Sequence, residues 1–327
     1  MNILEQIHAL WTRLRDILWP SRPMEPPQLT PRVSLILLDP LIPSKGGKRL
    51  SRVLQWNDPF ELIGKFLADL AEVSYGCVGY QISEQIVDDS FPLMEDGFCY
   101  SDEEYLRCWR AQDGFHKPDR INYHRLLADH NLVEKVQRGF IDEVWVMAAP
   151  YMGMYESRMA GPGAFWCNAP PLEGVEGAGR RFVIMALSYE RGVGEMLDSY
   201  GHRAESMMEQ VYRAIPENSN QNLWKLFTRH EKTHPGHAEV GTIHFAPNSR
   251  HDYDWGNPAA VKSHSQAWLS FPDLSQSPRL ETCAEWGNGD TRAHHLWWYR
   301  HLPHVEGQFN RISNNWWHYI VDPNAVK

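Results

Sequence analysis

The sequence has no long apolar run, no closely paired cysteines and no excess of positive charge. A helix that spans a bilayer needs roughly 20 consecutive apolar residues, and no stretch of this chain comes near that. The five cysteines show no CxxC spacing, which argues against a cysteine zinc site and against a disulfide framework. The formal net charge of −9, without a basic stripe, argues against nucleic acid as a partner.

The overall composition is that of a folded, water-soluble protein. Apolar residues make up 43% and charged residues 22% of 327 residues, which is enough chain for one large or two medium domains. The first residues lack the order of charged, apolar and small side chains that marks a signal peptide. The sequence therefore predicts a cytoplasmic protein with reduced thiols.

The first 31 residues divide into an amphipathic helix and a proline-rich linker. Residues 1–19 carry apolar side chains at spacings of three and four, and Pro20 ends the pattern. Residues 20–31 contain five prolines and are predicted to be a linker. Because the polar face of the helix mixes both charges, docking or self-association is favoured, with peripheral membrane contact as the alternative.

Residues 32–215 alternate between strand and helix patterns. Continuous apolar runs predict buried strands at 33–39, 142–150 and 181–189, with a further candidate within 76–100. Helical patterns cover the stretch after Pro59, residues 101–110, residues 121–138 and Val193 to Arg213. This alternation predicts an α/β core domain with a mostly parallel sheet and helices on both faces.

Residues 216–327 have a different composition, rich in histidine and tryptophan. Eleven of the 16 histidines and seven of the 14 tryptophans lie from His230 onward, and helical periodicity is hard to find. We expect an irregular, loop-rich region that covers a site on the core domain. Clustered tryptophans fill a core or stack on sugars and peptides, so a glycan- or peptide-binding surface is an alternative function.

The main candidate for chemistry is the stretch DSYGHRAE, residues 198–205. Acidic and histidine side chains at spacings of three and four form one stripe of the helix, namely Glu195, Asp198, His202, Glu205 and Glu209. A solvated helix face shows the same spacing, but it usually includes lysines that pair with the acids. A cation over the stripe would relieve the repulsion, so we predict a metal site with His202 and Glu205 as ligands.

The same stretch is similar at two positions to HExxH, the zinc helix of zincin-type metallopeptidases. In that alignment Asp198 and His202 take the two ligand positions, and Ser199 stands where the glutamate base would be. His202 and Glu205 also match the HxxE pair of zinc carboxypeptidases, which use a later histidine as third ligand. No family is assigned on these matches.

Residues 234–257 would supply the remaining metal ligands. His237 and His244 flank a short apolar run, and imidazoles at this density suit a divalent metal, with zinc as the first candidate. We therefore add His237 and His244 to the predicted ligand set. Asp252, Asp254 and Asn257 offer a calcium loop as an alternative, although loops also use such residues to satisfy their own backbone.

The loops after the predicted strands provide candidates for catalysis and substrate binding. In open α/β sheets, ligands bind beyond the carboxyl ends of the strands. The candidates for general base are Glu190, Glu156 and Glu195. The candidates for substrate binding are Arg158, Asn168, Tyr151 and Trp255.

Together these features predict a metal-dependent hydrolase that cleaves a peptide, amide or ester bond. Its substrate would be a small molecule, a peptide or a glycan, and its ion would activate a water for attack. The alternatives are a non-catalytic glycan- or peptide-binding protein that uses the C-terminal tryptophan and histidine surface, and a structural subunit attached through its N-terminal helix.

Overall fold

The computed structural model describes residues 28–327. The predicted helix at 1–19 and the linker up to residue 27 lie outside these described residues. Leu29 forms an isolated parallel bridge with Val78, so the end of the predicted linker joins the core. Within residues 28–327, no helix is both long enough and apolar enough to cross a membrane.

The described part of the chain contains eleven strands and ten α-helices. The strands are β1 (Arg32–Leu38), β2 (Leu41–Ile42), β3 (Lys48–Arg49), β4 (Gln81–Asp88), β5 (Glu143–Ala148), β6 (Ser157–Ala160), β7 (Phe182–Ser188), β8 (Val261–Ser263), β9 (Arg279–Glu281), β10 (His304–Phe309) and β11 (Ile312–Asn315). The helices are α1 (Leu50–Val53), α2 (Pro59–Val73), α3 (Asp102–Ala111), α4 (Tyr123–Asp129), α5 (Leu132–Gln137), α6 (Val193–Tyr212), α7 (Leu223–Phe227), α8 (Ser265–Trp268), α9 (Thr291–Arg300) and α10 (Trp317–Val321).

Five of the strands form the central sheet, in the order β4-β1-β5-β7-β6. The first four run parallel, and β6 pairs antiparallel with β7 at the edge. The prediction of a mostly parallel α/β sheet is confirmed. Strand β6 was not predicted, because its four residues, SRMA, are too few and too polar to show a pattern.

The central strands are buried on both faces. Every residue of β5 is buried, as is every residue of β1 after Arg32. Because successive side chains of a strand point to opposite faces, protein covers both sides of the sheet at its centre. That helices provide the cover on both faces stays a prediction.

Helix α6 follows β7 after a four-residue turn and confirms the predicted helix at 193–213. It packs on β6, β7 and α2, and the C-terminal helices α7, α9 and α10 also contact it. Its packed side is apolar, with Leu197, Tyr200, Ala204 and Met208 buried. This arrangement leaves the Asp198–His202 side facing the C-terminal region.

The helix predicted at 121–138 is two helices, α4 and α5. Asn131 separates them with a left-handed backbone, φ 53°. Asparagine adopts this conformation more readily than other residues with a Cβ, so the chain can turn there. The apolar spacing continues across the break, and for that reason the sequence pattern did not reveal it.

The C-terminal region contains more regular structure than its composition suggested. It contributes α7 to α10 and two antiparallel ribbons, β8–β9 and β10–β11, and its apolar residues join the core of the α/β part. Each of its eight tryptophans is at most 7% exposed. They fill the core, and residues 216–327 therefore present no tryptophan platform for stacking on a glycan.

Candidate metal centre

Asp198 and His202 lie one turn apart on the same side of α6. His202 Nε2 is 3.8 Å from Asp198 Oδ2. Gly201 lets the segment before His244 lie directly on the helix, since a Cβ at position 201 would stand 2.4 Å from Ile243 Cγ1. The close approach brings His244 Nε2 to 3.7 Å from Asp198 Oδ1. The ligand atoms of Asp198, His202 and His244 all lie within 4.8 Å of one another.

A third imidazole reaches the same carboxylate from α9. His295 is fully buried, and its Nε2 lies 3.3 Å from Asp198 Oδ1. His295 was not among the predicted site residues, because the tryptophan- and histidine-rich region that contains it was expected to fill a core or to bind sugars and peptides. The density of histidines there was the one available signal. Nothing in the sequence indicated that α9 packs against α6.

The three rings are oriented alike, each with Nδ1 facing an oxygen and Nε2 facing Asp198. The Nδ1 contacts are His202 to Glu205 Oε2 at 3.3 Å, His244 to Asp252 Oδ1 at 3.5 Å and His295 to the Gly194 carbonyl at 3.0 Å. Carboxylate and carbonyl oxygens accept hydrogen bonds, so Nδ1 is the donor in the hydrogen bonds of His202 and His295. In the neutral ring Nε2 then carries a lone pair, which is the usual orientation of a metal-binding histidine.

Three of the converging atoms are buried without a hydrogen-bond partner. They are Asp198 Oδ1, His244 Nε2 and His295 Nε2. A buried polar atom without a partner costs about 1–3 kcal/mol. Zinc ligands at 2.0–2.1 Å in a tetrahedron are about 3.3–3.4 Å apart. The distances of 3.3, 3.7 and 3.8 Å at Asp198 are near that spacing, and the ligand atoms of Asp198, His202 and His244 are close enough together to hold an ion.

The electrostatics also favour a cation. Burial opposes ionisation of Asp198, but the facing imidazoles of His244 and His295 outweigh it and hold the carboxyl pKa well below its usual range. Burial likewise opposes protonation of His202, but Glu205, Glu156 and Asp198 raise its pKa to about 9. Against the effect of burial, the pKa of His244 is also raised, by Asp198, so protons on His202 and His244 are favoured in the metal-free chain. A divalent ion would displace those protons.

Asp198, His202, His244 and His295 are called the cluster below. Glu156 and Asn168, both predicted site residues, lie together beside it. Glu156 Oε2 is 3.9 Å from His202 Nε2 and accepts a hydrogen bond from Asn168 Nδ2 at 2.6 Å. The Asn168 backbone N–H donates to Ser206 Oγ on α6 at 3.1 Å, which fixes the amide. Glu156 lines a cleft of about 160 Å³ at the carboxyl ends of β5 and β7. Asp198, His202 and His244 do not line this cleft, and Glu156 is the side chain that connects it to them.

Two of the other predicted residues support the cluster from outside its centre. Glu205 Oε1 accepts the Ile243 N–H at 2.9 Å and its Oε2 faces His202 Nδ1, so it orients a ligand instead of facing Asp198. Trp255 is 4% exposed and donates its indole N–H to the His244 carbonyl at 3.1 Å. Trp255 is therefore too buried to contact a substrate.

The remaining predicted residues have other contacts, or form no hydrogen bond or ion pair with the cluster in the described part of the chain. Tyr151 lines the cleft and stacks on Phe115. Arg158 donates to the carbonyls of Pro170 and Pro171 and lies over the ring of Tyr123. In residues 28–327, no hydrogen bond or ion pair joins the cluster to Arg158, Glu190, Glu195 or the exposed His237.

The residues of the calcium alternative are engaged in their own loop. Asp254 Oδ2 accepts the Arg250 N–H at 2.9 Å and the Asn257 amide at 3.1 Å. No family model, curated protein or solved structure matches the chain. The chemistry of the cluster therefore rests on its own residues, and Asp198, His202 and His244 are the group that can hold a metal ion.

Proposed function

We propose that the chain is a metal-dependent hydrolase whose divalent ion is held by Asp198, His202 and His244. The observation that carries the proposal is the convergence of buried, unpartnered atoms at Asp198, beside Glu156, which also lines an open cleft. Catalytic zinc sites use three protein ligands, commonly imidazoles with one carboxylate, and leave a further position open. Zinc is the first candidate ion, and peptide, amide and ester bonds are the candidate substrates.

Glu156 is the proposed general base. A bound divalent ion lowers the pKa of a coordinated water and polarises a carbonyl oxygen. Glu156 lies between the cluster and the cleft, where its carboxylate can accept the proton of the attacking water. Asn168 holds Oε2, and within residues 28–327 no hydrogen bond engages Oε1, which leaves Oε1 to take the proton.

The substrate end of the cleft combines an aromatic side chain with one cation. Tyr151 and Arg191 line the cleft together with Glu156. The Arg191 guanidinium is paired only loosely, 3.9 Å from Glu190 Oε2. Tyr151 and Arg191 are suited to contact the polar groups of a substrate whose carbonyl group lies at the cluster. We infer a cytoplasmic enzyme, in keeping with its five free cysteines.

The test uses the untagged full-length chain. Metal analysis should find near-stoichiometric zinc or another divalent ion, and the loaded chain should hydrolyse members of a panel of fluorogenic peptides, amides and aryl esters. Glu156→Gln should keep the ion and lose hydrolysis by roughly 100-fold or more. Glu190→Gln, a half-buried acid beside the cleft, is the matched control and should keep both. A chain without bound metal, and unchanged in melting temperature by a chelator, would contradict the proposal.

A further inference from the structure

We propose that His295 is a further ligand of this metal centre, on the Oδ1 side of Asp198. The inference rests on the proposed metal-binding function and extends its ligand set to four protein side chains, so that the water would take a fifth position on the ion. Asp198 is the residue that all three imidazoles face. His202 lies nearer its Oδ2, and His244 and His295 lie nearer its Oδ1. Of the three imidazole nitrogens, His295 Nε2 is the closest to the carboxylate, at 3.3 Å.

The hydrogen bond at the far side of the ring determines what Nε2 can do. His295 Nδ1 lies 3.0 Å from the Gly194 carbonyl oxygen, which can only accept, so Nδ1 carries the hydrogen. The neutral ring then directs a lone pair from Nε2 towards Asp198 Oδ1. Two electron-rich atoms 3.3 Å apart repel each other, so the contact requires a cation, which is either a proton on Nε2 or a metal ion. A metal ion shared by Asp198 and His295 turns this contact into an attractive one.

Packing holds the ring in this position. The side chain of His295 is fully buried, and its ring meets the face of Trp255 edge-on, with ring centres 5.0 Å apart. Trp255 also donates to the carbonyl of His244, so one indole supports both imidazoles on the Oδ1 side. A rotation of His295 away from Asp198 would break the bond to Gly194 and the contact with Trp255. The ring is therefore preorganised in the way that ligand histidines are.

Cobalt and zinc titrations of the full-length chain test the inference. After removal of bound metal, wild type should take up Co²⁺ with the visible absorption of a low-coordinate site, and Zn²⁺ should displace it. His295→Asn should weaken Co²⁺ binding by about 100-fold or more and shift the visible bands, because an imidazole leaves the ion. Loss of a supporting residue alone costs about 10–100-fold and leaves the bands in place.

His294→Asn is the matched control. His294 is the preceding residue of α9, is equally buried and stacks on Trp255, but it forms no ion pair with Asp198. Its replacement should leave the Co²⁺ spectrum and affinity unchanged, while thermal melting of both metal-free variants reports on folding. If His295→Asn does not fold, imidazole ¹⁵N spectra of wild type provide the test. Addition of Zn²⁺ should then shift the Nε2 signals of three histidines.

The outcomes separate this inference from the proposed function. If wild type binds neither Co²⁺ nor Zn²⁺, the metal-dependent hydrolase itself is wrong. If wild type binds metal and His295→Asn keeps the wild-type bands and affinity, only the role of His295 is overturned. In the NMR experiment, zinc-dependent shifts confined to His202 and His244 would overturn it in the same way.

Discussion

The guanidinium of Arg203 holds both carboxylate oxygens of Glu143 in the centre of the protein, at 2.5 and 2.6 Å, with both side chains shielded from water. Arg203 also donates to the carbonyls of Ile320 and Val321. One side chain of α6 therefore ties β5 to the C-terminal helix α10. Trp145 donates to Glu143 as well, so every oxygen of the pair has a partner.

Removal of one partner of this pair should be strongly destabilising. Arg203→Met leaves the Glu143 carboxylate buried and uncompensated, and we expect a loss of about 3–5 kcal/mol in the free energy of unfolding. Urea denaturation followed by circular dichroism measures the loss. Arg203→Met combined with Glu143→Leu should be less destabilised than Arg203→Met alone. A single variant within about 1 kcal/mol of wild type would show that the pair is not a structural anchor.

The contact between Gly201 and Ile243 should be intolerant of added volume. A Cβ at position 201 would meet three atoms of Ile243, with the nearest at 2.4 Å, so Gly201→Ala must push the segment before His244 away from α6. We expect a lower melting temperature and weaker Zn²⁺ binding. In the Gly201→Ala background, Ile243→Ala should cost less stability than it does alone, because it removes the clash. Strict additivity of the two changes would contradict this account.

Substitution of a histidine in the cluster should weaken Zn²⁺ binding, whereas substitution of the nearby His237, which lies outside the cluster, should not. His202→Asn and His244→Asn each remove a proposed ligand and should abolish stoichiometric Zn²⁺ binding, as measured by isothermal titration calorimetry. His237→Asn is the control, because His237 is exposed and was a predicted ligand. It should bind Zn²⁺ like wild type. Equal effects of all three substitutions would indicate a different ligand set.

Acid should destabilise the chain through its buried histidines. Burial lowers the pKa of His301 to about 4, from an ordinary value near 6.5. Between these two values the unfolded chain binds a proton that the folded chain does not. The stabilisation is therefore complete above pH 6.5, falls by about 1.4 kcal/mol per pH unit as the pH drops, and levels off below pH 4.

Urea denaturation at several pH values between 7 and 4 tests this expectation. His301→Gln should reduce the slope of the unfolding free energy against pH by the contribution of one histidine. This expectation does not depend on how the substitution changes stability at pH 7. The exposed His251, replaced by Gln, should leave the dependence as in wild type. A His301→Gln profile parallel to that of wild type would assign the acid sensitivity to other groups.

Local patterns predicted the elements of the fold better than they predicted the assembly of the site. Apolar runs identified β1, β5 and β7, and the proline cap identified α2, because burial on both faces of a strand and capping leave local signatures. The break at Asn131 left no such signature. Three of the C-terminal helices, α7, α8 and α10, are only four or five residues long, which is too short to show a periodic pattern. In α9 two buried histidines stand among the apolar positions and obscure the pattern.

The acidic stripe was a sound clue, but its members could not be ranked from the sequence. Asp198 is the acid that the imidazoles face. Glu205, which was predicted as a ligand, orients His202 instead. The difference depends on which segment covers each turn of α6. That is decided by the contact of Ile243 with Gly201 and by the packing of α9, neither of which is encoded in the spacing of the stripe.

The converging side chains enter the structure in a fixed order during synthesis. Asp198 and His202 emerge from the ribosome together, His244 follows some forty residues later, and His295 follows about fifty residues after that. A nascent chain that has completed its sheet and α6 thus presents Asp198 with only one of its three imidazoles, His202. Asp198, His202 and His244 come together only when the segment that carries His244 packs on α6, so an ion bound by them would connect the C-terminal region to the helix that follows the sheet.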